Sequence, residues 1–142
     1  MLFRSDDYVL PFGRANVLRT GADITVVSWG AMVHRAAEAA ARFGDRVELI
    51  DLRTIAPWDK ACVLASVAKT GRCLVVHEDN LTAGFGAEIA ATLAQEAFWQ
   101  LDAPVERLAP KDIPVAYHEA LLAALMPGVE EIAARIEAVL SA

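Results

Sequence analysis

His77, Glu78 and Asp79 stand in a row at the end of an apolar run, and Gly84-Phe85-Gly86 follows shortly after them. A histidine moves protons near neutral pH, and an adjacent glutamate can orient it. Val75-Val76-His77-Glu78 reads as the tip of a parallel strand, the edge where open α/β sheets bind ligands. His77 therefore either lines a functional site or interface, or is a hydrogen-bonded structural histidine. No GxSxG or comparable nucleophile motif accompanies it. Glu78 suits a cap or ion-pair partner for the following loop better than an acid catalyst. No residue of the chain is assigned a catalytic role, and none a metal.

The glycines raise the question of a nucleotide. A dinucleotide fingerprint needs GxGxxG after a strand, and the third glycine position here is Ile89. The phosphate loop GxxxxGK[ST] is absent as well. Gly84 and Gly86 are better explained by close packing of a loop that opens a helix, although free N–H groups there could hold an anion.

A second cluster lies in "DLRTIAPWD", residues 51–59. Arg53 can clamp a carboxylate or phosphate bidentately, or it can bind loop carbonyls and an acid such as Asp51 or Asp59. The structural clamp of Asp51, Arg53 and Asp59 is favoured. His34 and His118 stand alone and read as surface or packing residues. Trp99 falls on the less apolar side of its helix, which hints at an interface.

These candidates need elements to hold them. Asp23–Trp29 is a β-branched run that predicts a strand buried on both faces. Strands are also predicted over 14–20, 46–52, 72–78 and 104–109. Helices are predicted over 31–43, with Gly44 as its cap, and over 60–69, with Asp59 as N-cap. A long helix is expected over 84–100, and two more over 117–126 and 128–140. In the last, Glu131 stands one turn before Arg135, the spacing of a helical ion pair. A strand followed by four rounds of strand and helix implies an α/β sandwich with a mostly parallel sheet. Residues 1–13 read as a linker from upstream domains, and 14–142 as one domain.

With 142 residues, 56% apolar and 23% charged, the chain can bury a core. Its net charge of −6 argues against nucleic-acid binding and leaves room for a basic protein partner. No apolar run is long enough for a membrane span. Cys62 and Cys73, the only cysteines, read as small buried hydrophobes, and a reducing cytoplasm is the default location.

Taken in series, "PFGRANVLRTGADITVVSWGAMV", "ELIDLRTIAPWD", "SVAKTGRCLVVHEDNLTAGFGAEIAA" and "LDAPVERLAP" carry more than any one motif. Together they closely resemble the C-terminal transketolase-like domain of the thiamine-diphosphate-dependent 2-oxoacid dehydrogenases. That group includes pyruvate and branched-chain 2-oxoacid (2-oxoisovalerate) dehydrogenases, in which the domain ends the β subunit or the β half of a fused chain. The resemblance covers about residues 8–140. It implies a three-layer α/β/α sandwich whose five-stranded, mostly parallel sheet has an antiparallel first strand.

The resemblance also implies that the diphosphate and Mg2+ of thiamine diphosphate are held elsewhere, by a Gly-Asp-Gly motif with a downstream Asn, and that a glutamate on a separate domain activates the aminopyrimidine. No Gly-Asp-Gly occurs here. The chain then reads as a part of a decarboxylating enzyme component, inactive alone. Its implied roles are assembly with the other domains or α subunit, homodimeric β association, and docking of the lipoyl acyltransferase component. Glu130, Glu131, Glu137 and Ala142 are the docking candidates by region, and His77, Glu78, Gly84 and Gly86 the edge facing the cofactor-bearing domains. A stand-alone flavodoxin-like binding module is the rival reading. A transketolase-type transferase is a third, with Arg53 and Arg72 as its plausible phosphate clamps.

Overall fold

The computed structural model describes residues 9–142, so that residues 1–8 of the expected linker lie outside the described residues. Five strands form one sheet: β1 (Asn16–Arg19), β2 (Ile24–Ser28), β3 (Val47–Asp51), β4 (Cys73–Val76) and β5 (Glu106–Leu108). Their spatial order is β1-β3-β2-β4-β5. β1 runs antiparallel to β3, and all other neighbours are parallel. Every residue of β2 is buried, as the β-branched run predicts for a central strand covered on both faces. Val26 pairs with Leu49 on one side and Leu74 on the other.

Helices α1 (Met32–Ala40) and α5 (Val129–Leu140) cover one face, where Met32, Ala36, Ile132 and Ile136 meet Ile24, Val26 and Leu49. Helices α2 (Lys60–Thr70) and α3 (Phe85–Glu96) cover the other, where Val63, Val67, Ile89 and Leu93 meet Val27, Ile50 and Val75. Each of these fully buried aliphatic side chains contributes about 1.5–3 kcal/mol. Asp59 caps α2 by accepting from Cys62 N at 3.1 Å, and Gly71 closes it in the left-handed conformation.

Several boundaries differ from expectation. The chain leaves α geometry at Ala41 and tightens into a 3-10 segment, Ala41–Arg46, instead of continuing to residue 43. Gly44 therefore turns inside that segment rather than capping α1. α3 stops at Glu96, and a separate 3-10 turn covers Phe98–Gln100. α4 (Glu119–Leu125) is shorter than predicted and buries none of its residues. Arg135 turns away from Glu131 and pairs with Glu106 on β5 at 2.8 Å, a choice open to it because α5 packs beside that strand. Cys62 is only partly buried. Cys73 is fully buried, and burial pushes its thiol up to about 12.

Candidate functional site

β2 passes into α1 on one face of the sheet, while its neighbour β4 passes into α3 on the opposite face. The carboxyl ends of β2 and β4 thus diverge, and that switch point is where sheets of this kind form a ligand crevice. Trp29 and Gly30 follow β2 there, and His77 and Glu78 follow β4. Glu78 is exposed, with its Oε1 beside Gly30.

His77 is completely buried. Its ring stacks on Trp29, with centroids 5.2 Å apart and planes 7° from parallel. Phe85 meets Trp29 edge-on at 5.8 Å, and Trp58 meets Phe85 in the same way at 6.1 Å. The backbone N–H of His77 donates to Leu108 O at 3.1 Å. Its Nδ1 and Nε2 make no hydrogen bond of normal geometry among the described residues, although the Asp79 backbone lies near enough to favour the charged ring. Burial pushes the imidazole below its usual range; Asp79 opposes that shift and Arg107 adds to it. Burial thus favours the neutral ring.

The Gly-x-Gly has a purpose that this geometry explains. A Cβ on Gly86 would lie 2.3 Å from His77 Nε2 and 2.5 Å from its Cδ2. A Cβ on Gly84 would lie 2.9 Å from His77 Cε1 and 2.1 Å from Asn80 O. The two glycines form a cradle for the imidazole. Ser28, the hydroxyl nearest along β2, is already committed to Val76 O at 2.9 Å. The edge is an aromatic wall beside the exposed carboxylates of Glu78 and Asp79, and its imidazole is buried beneath the surface.

Asp51, Arg53 and Asp59 divide into two sites. Arg53 has a left-handed φ of 59°. Its N–H donates to Asp51 Oδ1 at 3.0 Å, and its Nε lies 3.7 Å from Asp51 Oδ2. Asp59 instead holds the start of α2 and, through Oδ2, Ala15 N at 3.0 Å. Gly13 N donates to Thr54 Oγ1 at 2.9 Å, so the chain entering β1 is tied to this loop twice.

On α5, Glu130 is engaged by the Arg42 guanidinium at 2.6 and 2.8 Å. Glu131 and Glu137 are exposed, and Ala142 borders a hollow of about 190 Å³ with Arg135 and Glu106. His34 is exposed, and His118 caps α4 through Nδ1. Trp99 is 89% exposed, with Phe98 packed edge-on against it.

Among the described residues no group of three or more His, Cys, Asp or Glu side chains could hold a metal ion. These residues do not fit the magnesium-bound diphosphate of thiamine diphosphate. None of the described helices is long and apolar enough to cross a membrane.

Trp29 and Phe85 complete the wall, yet neither stands out in the sequence as a partner of His77. The available signal is that Trp29 ends a strand at the same sheet edge.

A family model described as the transketolase C-terminal domain matches residues 13–132. The chain is 50% identical over 112 residues to the 2-oxoisovalerate dehydrogenase subunit beta 2, mitochondrial, of Arabidopsis thaliana, covering 77% of this chain and 31% of that one. It is 44% identical over 137 residues to the pyruvate dehydrogenase E1 component subunit beta of Rhizobium meliloti, covering 94% and 30%. The chain thus spans about a third of the length of these curated relatives. A solved structure described as a split gene transketolase, inactive beta4 tetramer, superposes with a TM-score of 0.79 at 27% identity, covering 99% of this chain and 45% of that one.

Proposed function

The chain belongs to the transketolase C-terminal domain family, and from that premise we propose that it is the assembly domain of a decarboxylating 2-oxoacid dehydrogenase component. That component oxidatively decarboxylates a 2-oxoacid and transfers the acyl group to lipoamide. The observation that carries this reading is the match to the two β subunits, which spans most of this chain and about a third of theirs.

On this reading thiamine diphosphate and Mg2+ are held by the rest of the enzyme, and residues 1–13 lead in from it. The aromatic wall of Trp29, His77 and Phe85 borders the cofactor-bearing part, with Glu78 as the carboxylate at that border. The domain also joins the α subunit or fused half, and a second β part. Glu131, Glu137 and the region of Ala142 are offered to the acyltransferase component. Glu130 is less available, because Arg42 occupies both of its oxygens.

A transketolase-type transferase would need cations converging on a sugar phosphate. Arg53 follows β3 at the carboxyl edge of the sheet, whereas Arg72 precedes β4 at the amino edge, 3.8 Å from Asp102. That separation favours the dehydrogenase reading.

The test is oxidation of pyruvate, 2-oxoisovalerate and 2-oxoglutarate with an artificial electron acceptor, dependent on thiamine diphosphate and magnesium. It is run on the 142-residue chain and on the full enzyme that carries it. The full enzyme is expected to turn over one acid and the chain alone none. Turnover by the chain alone, or none by the full enzyme, overturns the reading.

A further inference from the structure

We propose that His77 is the catch of an acid-released latch. The loop 78–84 closes over the neutral ring and lifts when the ring is protonated, uncovering the crevice between β2 and β4.

Four observations converge on this. First, His77 is fully buried with neither ring nitrogen bonded among the described residues. A neutral imidazole is poorly matched to such a place. An imidazolium would add a buried charge that the Asp79 carboxylate and backbone meet only in part, at higher cost. Second, part of what covers the ring is the loop and the first turn of α3, which close on it only because Gly84 and Gly86 lack a Cβ. Third, Ala83 holds a left-handed φ of 61°, so the closed loop carries backbone strain at a non-glycine residue. Fourth, the loop's outer fastenings are few. Leu81 N donates to Pro110 O at 3.0 Å, Arg107 Nη1 donates to Leu81 O at 2.7 Å, and Thr82 donates twice to Asp112, from N to Oδ1 at 3.0 Å and from Oγ1 to Oδ2 at 2.5 Å.

The charged groups around the ring favour release through His77 itself. Glu78 and Asp79 belong to the loop, Arg107 reaches in from β5, and Glu88 stands exposed on the first turn of α3. Trp29 and Gly30 bring no charge from the β2 side. Asp79 attracts the proton, but burial of the ring and Arg107 outweigh it. Asp112 is held below the usual carboxylate range by its hydrogen bonds from Thr82, so that fastening survives to lower pH than the catch. An imidazole disfavoured in its charged form when closed loses closing strength as pH falls below its ordinary value of about 6.5. Above that value the latch is shut.

Nothing in this device depends on the dehydrogenase reading, and the measurement needs neither substrate nor cofactor. The His77 ring and the backbone amides of 78–86 are followed by NMR through pH 8 to 4 in the 142-residue chain. The expected result is one transition below about pH 6.5, shared by ring and loop, while amides of β2 and β3 remain in place. His77→Phe keeps an aromatic ring beside Trp29 and is expected to remain closed throughout that window. Gly86→Ala pushes into the ring and is expected to raise the midpoint toward 6.5, about tenfold in the closing constant per pH unit. If His77→Phe fails to fold, the Gly86→Ala shift carries the test. The proposal is overturned if the loop amides hold still while His77 titrates. It is also overturned if His77→Phe opens in the same window, or if the ring titrates only with global unfolding.

Discussion

The two edges of the sheet handle buried polar groups in opposite ways. At the amino edge, Glu48 is nearly buried and is held by the Lys69 ammonium, by Ser66 and by Gly21 N at 3.4 Å. Thr25 shares hydrogen bonds with Ser66 at 2.6 Å and Thr70 at 2.8 Å. Arg72 Nε is the exception there, lying without a partner among the described residues although its guanidinium approaches Asp102. At the carboxyl edge, the buried imidazole of His77 has no side-chain partner among the described residues, and Arg53 and Ala83 both occupy left-handed backbone. A satisfied network stabilises and specifies a fold. An unsatisfied group in a strained loop costs stability, and such costs collect where a surface has work besides folding. On the function proposed above, the amino edge holds the fold and the carboxyl edge is the one that borders the rest of the enzyme.

Three tests sharpen or break that contrast, and the largest effect belongs to the carboxyl edge. Gly86→Ala drives a Cβ into a ring that is walled in by Trp29, and it is expected to cost about 3 kcal/mol in urea denaturation. Adding His77→Ala clears the space, so the double variant should be more stable than the two single losses predict. Simple additivity would mean that the glycine does not serve the histidine.

Glu48→Ala at the amino edge is expected to cost about 2 kcal/mol at pH 7, because Ser66 and Gly21 N lose their acceptor while the half-exposed Lys69 returns to water. Burial alone would raise the Glu48 carboxyl, but its hydrogen bonds from Lys69, Ser66 and Gly21 N, with the Lys69 charge, together hold it below 4.5. Its contribution is therefore complete above about pH 4.5 and is lost as pH falls through the lower folded value. Stability curves of wild type and Glu48→Ala should converge in acid; parallel curves would remove Glu48 from the account.

The smallest effect is the most discriminating. Thr25→Val and His77→Phe each replace a buried polar side chain by an apolar one. Thr25→Val should cost about 1 kcal/mol, since Ser66 and Thr70 each lose one partner. His77→Phe removes no hydrogen-bonded partner among the described residues, and should cost less than about 1 kcal/mol, arising only from seating a larger ring between Trp29 and the two glycines. Equal losses at both sites would erase the difference between the edges.

Much of the fold was legible because its signals are local. The run Ile24–Ser28 announces a doubly covered strand by composition. Asp59 and Gly71 mark the ends of α2 by the chemistry of caps. The antiparallel β1 was implied by resemblance and is found paired with β3. The site was less legible. The pattern His77, Gly84, Gly86 suggested close packing, but not that the glycines pack against the histidine. Glu131 and Arg135 have the spacing of a pair, yet Arg135 bonds Glu106 across 29 positions of chain.

By itself the sequence determined the order of elements, their buried faces and the family, because periodicity, caps and motifs are read between near neighbours in the chain. Only the tertiary structure decided that Trp29 lies on His77 and that Glu48 meets Lys69. Those meetings depend on the strand order β1-β3-β2-β4-β5 and on where each helix crosses the sheet. A side chain's partners are set by distance in space, and strand order makes that distance independent of distance along the chain.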